Sequence, residues 1–238
     1  MTAFMDSAPN PKDFASKPIA SVDLVIFALS ETGLQVLLMK RGTEPFADHW
    51  ALPGGWIHVD EDTDLDTAAR RVLFDKTGVE TPYLEQLRTF GGKSRDPRGW
   101  SLSIAYVALI SAHEVRLRQG SNATDAAWWS IEGNEVAVLT AFDHSNIFHS
   151  ALARLRDKVE YSTLPVHLLP AGFTLGELQS VYERILGRRL DKSAFRKRVA
   201  EADFVEPVPG EMRRASNRPA QVYRLKKARS TTFFDRTI

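Results

Sequence analysis

Near Tyr161 this chain of 238 residues changes both its charge and its periodicity. Up to that point it carries 16 Lys and Arg against 22 Asp and Glu, a net charge of −6; from Ser162 onward the counts are 15 and 8, a net of +7. The two parts cancel to +1, so the total hides the split. Charge asymmetry of this kind points to two domains with different partners, the basic one suited to a polyanion. With 43% hydrophobic residues the chain can bury real cores.

Residues 1–18, with three Pro, read as a loosely ordered arm. SVDLVIFAL (Ser21–Leu29) and LQVLLMK (Leu34–Lys40) are β-rich runs separated by the turn signal SETG, which predicts a hairpin. WALPGGW and an acidic DEDTD stretch lead into a predicted helix over Leu65–Thr77. There Leu65, Ala69, Val72 and Leu73 keep helical spacing, Asp64 can cap the start and Gly78 sits where a helix stops. LRTFGG and SLSIAYVALI read as strands flanking the loop KSRDPRGW. Short strands around EVRLR and AAWWSI follow, then a helix from Asp143 to about Lys158. Strands and helices interspersed over residues 19–160 indicate a layered α/β or α+β domain.

Residues 161–238 follow another pattern. Thr174 and Glu177 make a capping box, and Leu178, Val181, Tyr182 and Ile185 follow at helical spacing. Gly187 ends that helix, and after a tight connection Asp191 caps a second whose inner face is Phe195, Val199 and Ala202. FVEPV, a PGEMRRASNRPA loop and QVYRL then suggest a hairpin with a long basic tip. Helix, turn, helix and basic hairpin is the order of a winged helix-turn-helix.

GGWIHVDE followed by AARRVLFDKTGV resembles the Nudix box. Gly55 stands for its opening glycine, Glu61 for the loop glutamate, Arg71 for the arginine, Leu73 for the aliphatic position, and Gly78 and Val79 for its close; two residues are inserted near Asp62–Asp64. In that family the helix glutamates bind the Mg²⁺ that bridges a substrate diphosphate and activates water. Here Val72, Asp75 and Lys76 stand in their places, so efficient hydrolysis is not expected; Glu61 with Asp60, Asp62 and Asp64 is left as a weak Mg²⁺ site. The expected behaviour is binding of a nucleotide diphosphate without cleavage, Lys76 supplying part of the missing metal's charge. Loop guanidinium groups at Arg95 and Arg98 suit phosphate. Arg41, Gly55, Trp56, Glu61 and Arg71 complete the expected effector set, while His58 and His144, without ligand spacing, read as structural or hydrogen-bonding residues.

On the helix from Asp191, Phe195, Val199 and Ala202 share one side, and Ser193, Arg196, Lys197 and Ala200 point the other way. Such a face suits the major groove, where Arg reads guanine and a methyl meets thymine. Arg188, Arg189, Lys192 and Arg198 are expected at phosphates, and Arg213, Arg214 and Arg218, with Ser216 and Asn217, at a wing reaching backbone or minor groove.

The combination, with RDPRGW and AFDHSNIF, resembles the Nudix-related transcriptional regulators of the NrtR family over nearly the whole chain. That resemblance implies an α/β/α Nudix-like sandwich with a mixed sheet, followed by a winged helix-turn-helix. It also implies a homodimeric bacterial repressor of NAD-metabolism or sugar-utilisation genes, acting in the cytoplasm on double-stranded operator DNA and released by a small molecule such as ADP-ribose. An active Nudix pyrophosphatase is the alternative, against which Val72 and Lys76 argue; a scaffold binding nucleic acid without sequence choice is a third reading. No apolar run approaches the roughly 20 residues of a membrane span, and the absence of Cys rules out thiolate metal sites and a cysteine nucleophile.

Overall fold

The computed structural model describes residues 17–31, 33–79, 83–111, 123–214 and 219–226. The expected arm before Lys17, the expected strand around EVRLR, and Ser216, Asn217 and Arg218 at the tip of the wing lie outside the described residues. In chain order the first module has β1 (Ile19–Leu29), β2 (Leu34–Arg41), β3 (Trp50–Ala51), β4 (Gly54–Trp56), α1 (Leu65–Thr77), β5 (Tyr83–Gly92), β6 (Ser101–Leu109), β7 (Ala123–Glu132), β8 (Glu135–Val136) and α2 (His144–Val159).

The predicted hairpin closes as expected: Leu29 faces Leu34, and the Ser30 N–H donates to Gly33 O at 2.9 Å. The strands form one mixed sheet in the order β5-β6-β1-β2-β7-β8, with β3 on β2, β4 on β1, and β1 and β6 its parallel pair. β1 is buried continuously from Val22 to Ala28, because the sheet is covered on both faces. Val22, Leu24 and Ile26, with Leu37 and Ile104, pack under Ala68, Ala69, Val72 and Leu73 of α1. Val25, Phe27, Val36 and Leu38 meet Ile147, Phe148, Ala151 and Leu155 of α2 on the other side. The local signals for α1 hold: Asp64 accepts the Thr67 N–H at 2.7 Å, and Gly78 ends the helix at φ 70°.

The second module has α3 (Leu175–Leu186), α4 (Lys192–Ala202) and a three-stranded sheet in the order β10 (Val205–Arg213), β11 (Ala220–Leu225), β9 (Phe173–Thr174). The capping box forms both its bonds: the Thr174 N–H donates to Glu177 Oε2 at 2.7 Å and the Glu177 N–H to Thr174 Oγ1 at 3.2 Å. One feature differs from the sequence reading. Where a loop is expected to begin after FVEPV, β10 continues to Arg213 through a register shift between Pro207 and Met212. Among the described residues its outer edge is unpaired, so the N–H groups that Pro207 and Pro209 lack are not needed for a ladder there. The two modules share one core. A short 3-10 helix (Leu164–Leu168) sends Leu164, Val166 and Leu168 into a core that runs from Phe27 and Ile147 to Leu178, Tyr182, Phe195 and Phe204. Polar bonds cross the same junction: Tyr182 Oη donates to Ser162 O at 2.7 Å, Arg184 Nη1 to Ser30 O at 2.7 Å, and Arg188 pairs with Glu160 at 3.5 Å.

Candidate functional site

A cavity of about 170 Å³ opens where the first half of β1, the end of β2, the β3–β4 segment, the last turn of α1, the 93–99 loop and the start of α2 converge. The chain reaches this arrangement through close backbone approach. β4 pairs with β1 so that Gly54 faces Asp23, and a Cβ at Gly54 would fall 2.0 Å from Asp23 Oδ1. Only glycine fits there. Gly55 next to it lies so near α1 that a Cβ would be 3.1 Å from Val72 Cγ2.

Five cationic side chains line the cavity, Lys40, Arg41, Lys76, Arg95 and Arg98, against the carboxylates of Asp23 and Asp96. They differ in how far they are neutralised. Arg95 forks onto Asp143 at 2.8 and 3.1 Å and adds Ser101 Oγ at 3.2 Å. Arg98 forks onto Asp96 at 2.7 and 3.0 Å, and Lys40 pairs with Asp48 at 3.4 Å. Burial works to raise the pKa of Asp96, but the bonds from Arg98 prevail and hold the carboxyl below its ordinary value. Among the described residues Arg41 donates only to the carbonyls of Pro45 at 2.9 Å and Thr43 at 3.3 Å. Burial, and then the neighbouring Arg98, lower its pKa. Among the described residues neither Arg41 nor Lys76 has an ion-pair partner; Asp96, Asp23 and Glu44 act on Arg41 through space without bonding it, so these two cations are the cavity's open ones.

Aromatic faces complete the wall. The Arg41 guanidinium lies 4.8 Å from the Phe142 ring centroid, and Arg98 lies 5.1 Å from Trp56 and 5.8 Å from Phe142. Phe142 holds φ 54°, the left-handed region, which a bulky side chain occupies at a cost of about 1–3 kcal/mol. That conformation places its ring against Phe46, at 4.8 Å, and between the two arginines. Trp56 is 45% exposed, open to stacking by a ligand. The other tryptophans lie elsewhere: Trp50 packs edge-on to Trp129 at 5.2 Å, and Trp128 packs against the core under α1.

Of the expected effector residues the structure gathers Arg41, Gly55, Trp56, Lys76, Arg95 and Arg98 around the cavity, but not Glu61 or Arg71. Arg71 forks onto Asp62 with two bonds of 2.8 Å and donates to Trp56 O at 2.9 Å, pinning the acidic loop to the GGW turn. The Arg71 bond lowers the Asp62 pKa to about 2. Glu61 accepts from His58 at 3.2 Å, Asp64 caps α1, and Asp66 accepts from Tyr106 Oη at 2.6 Å. Val72 is buried in the core and Asp75 lies 3.8 Å from Arg71. Mg²⁺ takes near-octahedral oxygen ligands, and among the described residues no three of these acids gather to supply them, so they do not fit it. Asp23, Asp96 and Phe142 were not visible as site residues in the sequence, because each gains its role from segments far along the chain.

The candidate nucleic-acid interface is the outer side of α4. Asp191 accepts the Ala194 N–H at 2.8 Å, Phe195 packs on Tyr182 with centroids 5.3 Å apart, and Phe195 and Val199 are buried. Lys192, Ser193, Arg196 and Lys197 are exposed on the other side, Lys197 lying 3.8 Å from Glu201. Arg189, in the turn before, is 93% exposed, 3.3 Å from Glu183. Arg188 instead faces Glu160 of the first module. Arg213, though exposed, is bound back onto the start of α3, donating to both Glu177 oxygens at 2.6 and 2.8 Å and to Gly172 O at 2.9 Å, and Arg224 pairs with Glu206, so Arg214 is the exposed wing cation without an ion-pair partner among the described residues.

A two-faced sandwich with a cationic cleft beside its GGW turn, packed through one core against a winged helix, defines a Nudix-fold chain with an appended DNA-binding module. The NUDIX domain family matches residues 18–149, and the family described as the NrtR DNA-binding winged helix domain matches residues 165–225. The chain belongs to the NrtR family. It is 42% identical over 207 residues, 87% of this chain and 82% of the relative, to the "ADPR responsive transcriptional repressor NtrR" of Acinetobacter baylyi. The crystal structure of Shewanella oneidensis NrtR complexed with a 27mer DNA is 38% identical, with TM-score 0.83 over 92% of this chain and 99% of that one. The cocrystal structure of the NUDIX domain of the same Shewanella protein with ADP ribose superposes with TM-score 0.55, also at 38% identity, over 62% of this chain and 94% of that one.

Proposed function

We propose that this chain is a transcriptional repressor that binds operator DNA through its winged helix and releases it when ADP-ribose occupies the Nudix-module cleft. The observation that carries this reading is the pair of cations without an ion-pair partner among the described residues, Arg41 and Lys76, in a cleft whose other arginines are held by carboxylates. A diphosphate supplies the missing counter-charge. Both the Acinetobacter relative and the Shewanella NUDIX domain are described with the same ligand. Arg95, Arg98, Trp56 and Gly55 would shape the site, with Glu61 and Arg71 supporting the loop around it.

The cleft binds rather than hydrolyses: Val72 offers no oxygen, and the Lys76 ammonium occupies the charge position of a cation. On DNA, Arg196, Lys197, Ser193 and Lys192 would enter the groove, with Arg189, Arg214 and Arg218 at the backbone. A homodimer would place two α4 helices on half-sites about 34–36 Å apart. Release requires that ADP-ribose bind better to a geometry that misaligns those helices. The core shared by the two modules supports such coupling, since a shift at the cleft cannot be absorbed by a linker. Isothermal titration of the full chain with ADP-ribose, followed by product analysis after incubation with Mg²⁺ or Mn²⁺, tests the binding half. Saturable binding with the ligand recovered intact is expected; turnover near about 1–10³ per second would instead make the chain an enzyme.

A further inference from the structure

Two polar atoms on the floor of the cleft are left open by the protein. Asp23 is 6% exposed in β1, just ahead of the apolar run Leu24–Leu29. Its Oδ2 accepts from Ser103 Oγ at 2.5 Å and from Ser21 Oγ at 3.3 Å, whereas Oδ1, in the space left by Gly54, has no hydrogen bond among the described residues. His144, the first residue of α2, is 4% exposed and accepts the Leu52 backbone N–H on Nδ1 at 2.9 Å. A ring that accepts on Nδ1 carries its proton on Nε2, and this N–H has no acceptor among the described residues. Burial lowers the His144 pKa against the pull of Asp23 and so favours the neutral ring, while the Leu52 N–H selects the tautomer. Both side chains line the cavity.

Neither atom is sealed in the interior, where the unpartnered side-chain atoms among the described residues are Ser111 Oγ and Trp129 Nε1, so an acceptor and a donor open onto one cavity and a ligand there can bring their complements. The carboxylate restricts which ligand group that is. A phosphate would be repelled by Asp23 and is drawn to Arg41 and Lys76 instead. The remaining match is a neutral group with adjacent hydroxyls, each able to donate or accept. We propose that Asp23 and His144 form a diol subsite, in which Asp23 Oδ1 accepts from one hydroxyl of a ligand ribose and His144 Nε2–H donates to its neighbour. The proposal rests on the ADP-ribose reading and extends it to sugar selection.

ADP-ribose has two riboses, so the test uses two deoxy ligands. The full-length chain is titrated calorimetrically with ADP-ribose, with the analogue lacking the 2′-hydroxyl of the adenosine ribose, and with the analogue lacking the 2″-hydroxyl of the terminal ribose. Wild type should bind one of these analogues about tenfold or more weakly than ADP-ribose, and that analogue identifies the ribose on the floor. Asp23→Asn keeps an acceptor for Ser103 Oγ but removes the open carboxylate oxygen. His144→Asn keeps an oxygen for the Leu52 N–H but ends short of Nε2. Each should shrink the discrimination to about twofold. Discrimination unchanged in both folded variants overturns the subsite, as do two analogues that bind wild type as well as ADP-ribose does; this second arm needs no variant to fold. Wild type that fails to bind ADP-ribose overturns the ligand reading and the subsite with it, whereas binding without sugar discrimination overturns the subsite alone.

Discussion

Arg41→Ala separates ligand binding from folding. The guanidinium it removes bonds only to two loop carbonyls and stacks on Phe142, with no ion-pair partner among the described residues. Those carbonyls can turn to water, so the fold should lose little. A charge-assisted hydrogen bond to a phosphate contributes about 1.5–3 kcal/mol, which corresponds to about 10- to 150-fold in Kd. Arg98→Ala provides the contrast. Asp96 is 4% exposed and receives two bonds from that guanidinium, so the variant strands a buried carboxylate. Arg98 is itself partly exposed, which brings the expected cost down to about 1–3 kcal/mol, or a few degrees in Tm for a chain of this size. Calorimetric titration with ADP-ribose and a melting curve on each variant distinguish the cases. Arg41→Ala should weaken binding at least tenfold with Tm nearly unchanged, and Arg98→Ala should lower both. Binding by Arg41→Ala within twofold of wild type would refute the assignment of Arg41 as an open phosphate contact.

Three further outcomes follow from the geometry. Arg196→Ala should cost about 1–3 kcal/mol on the cognate operator and relax one base position, while an equal loss on random DNA would make Arg196 a phosphate contact. Folding holds the Asp62 carboxyl at about 2, below its ordinary 3.8, so its pairing with Arg71 stabilises the fold fully above about pH 4 and is lost as the pH falls through 2. The Tm gap between wild type and Asp62→Asn should therefore narrow from pH 4 to pH 2; a constant gap contradicts the latch. Tyr182→Phe leaves Ser162 O without its 2.7 Å donor at the junction of the modules and should lower stability by about 1–3 kcal/mol, measured by chemical denaturation.

Elements that announce themselves locally were legible in the sequence. The Ser21–Lys40 hairpin, both capped ends of α1, the Thr174–Glu177 box and the Phe195–Val199 stripe each depend on residues within a turn or two of one another. The floor of the cleft was not legible. Asp23 reads as a lone polar residue in an apolar strand until Ser103, 80 residues on, and Gly54 are brought beside it. Arg71 and Glu61 show the converse: motif position marked them for the ligand, whereas packing uses Arg71 to pin the loop and pairs Glu61 with His58. Arg213 was read as a wing contact because a basic loop looks free in sequence, and only the folded sheet puts Glu177 within its reach. The shared core was hidden for the same reason, since residues 164–168 carry no periodicity that separates a linker from a buried 3-10 turn.

The most direct test of the account is fluorescence anisotropy of a labelled duplex from the gene's own upstream region, titrated first with the full-length chain and then with ADP-ribose at fixed protein and salt. The account predicts tight binding to that duplex over a scrambled one of equal length, and a fall in anisotropy as ADP-ribose saturates the Nudix-module cleft, a fall that Arg41→Ala moves to at least tenfold higher ligand concentration. Equal affinity for the scrambled duplex, or a DNA complex indifferent to saturating ADP-ribose, would contradict it.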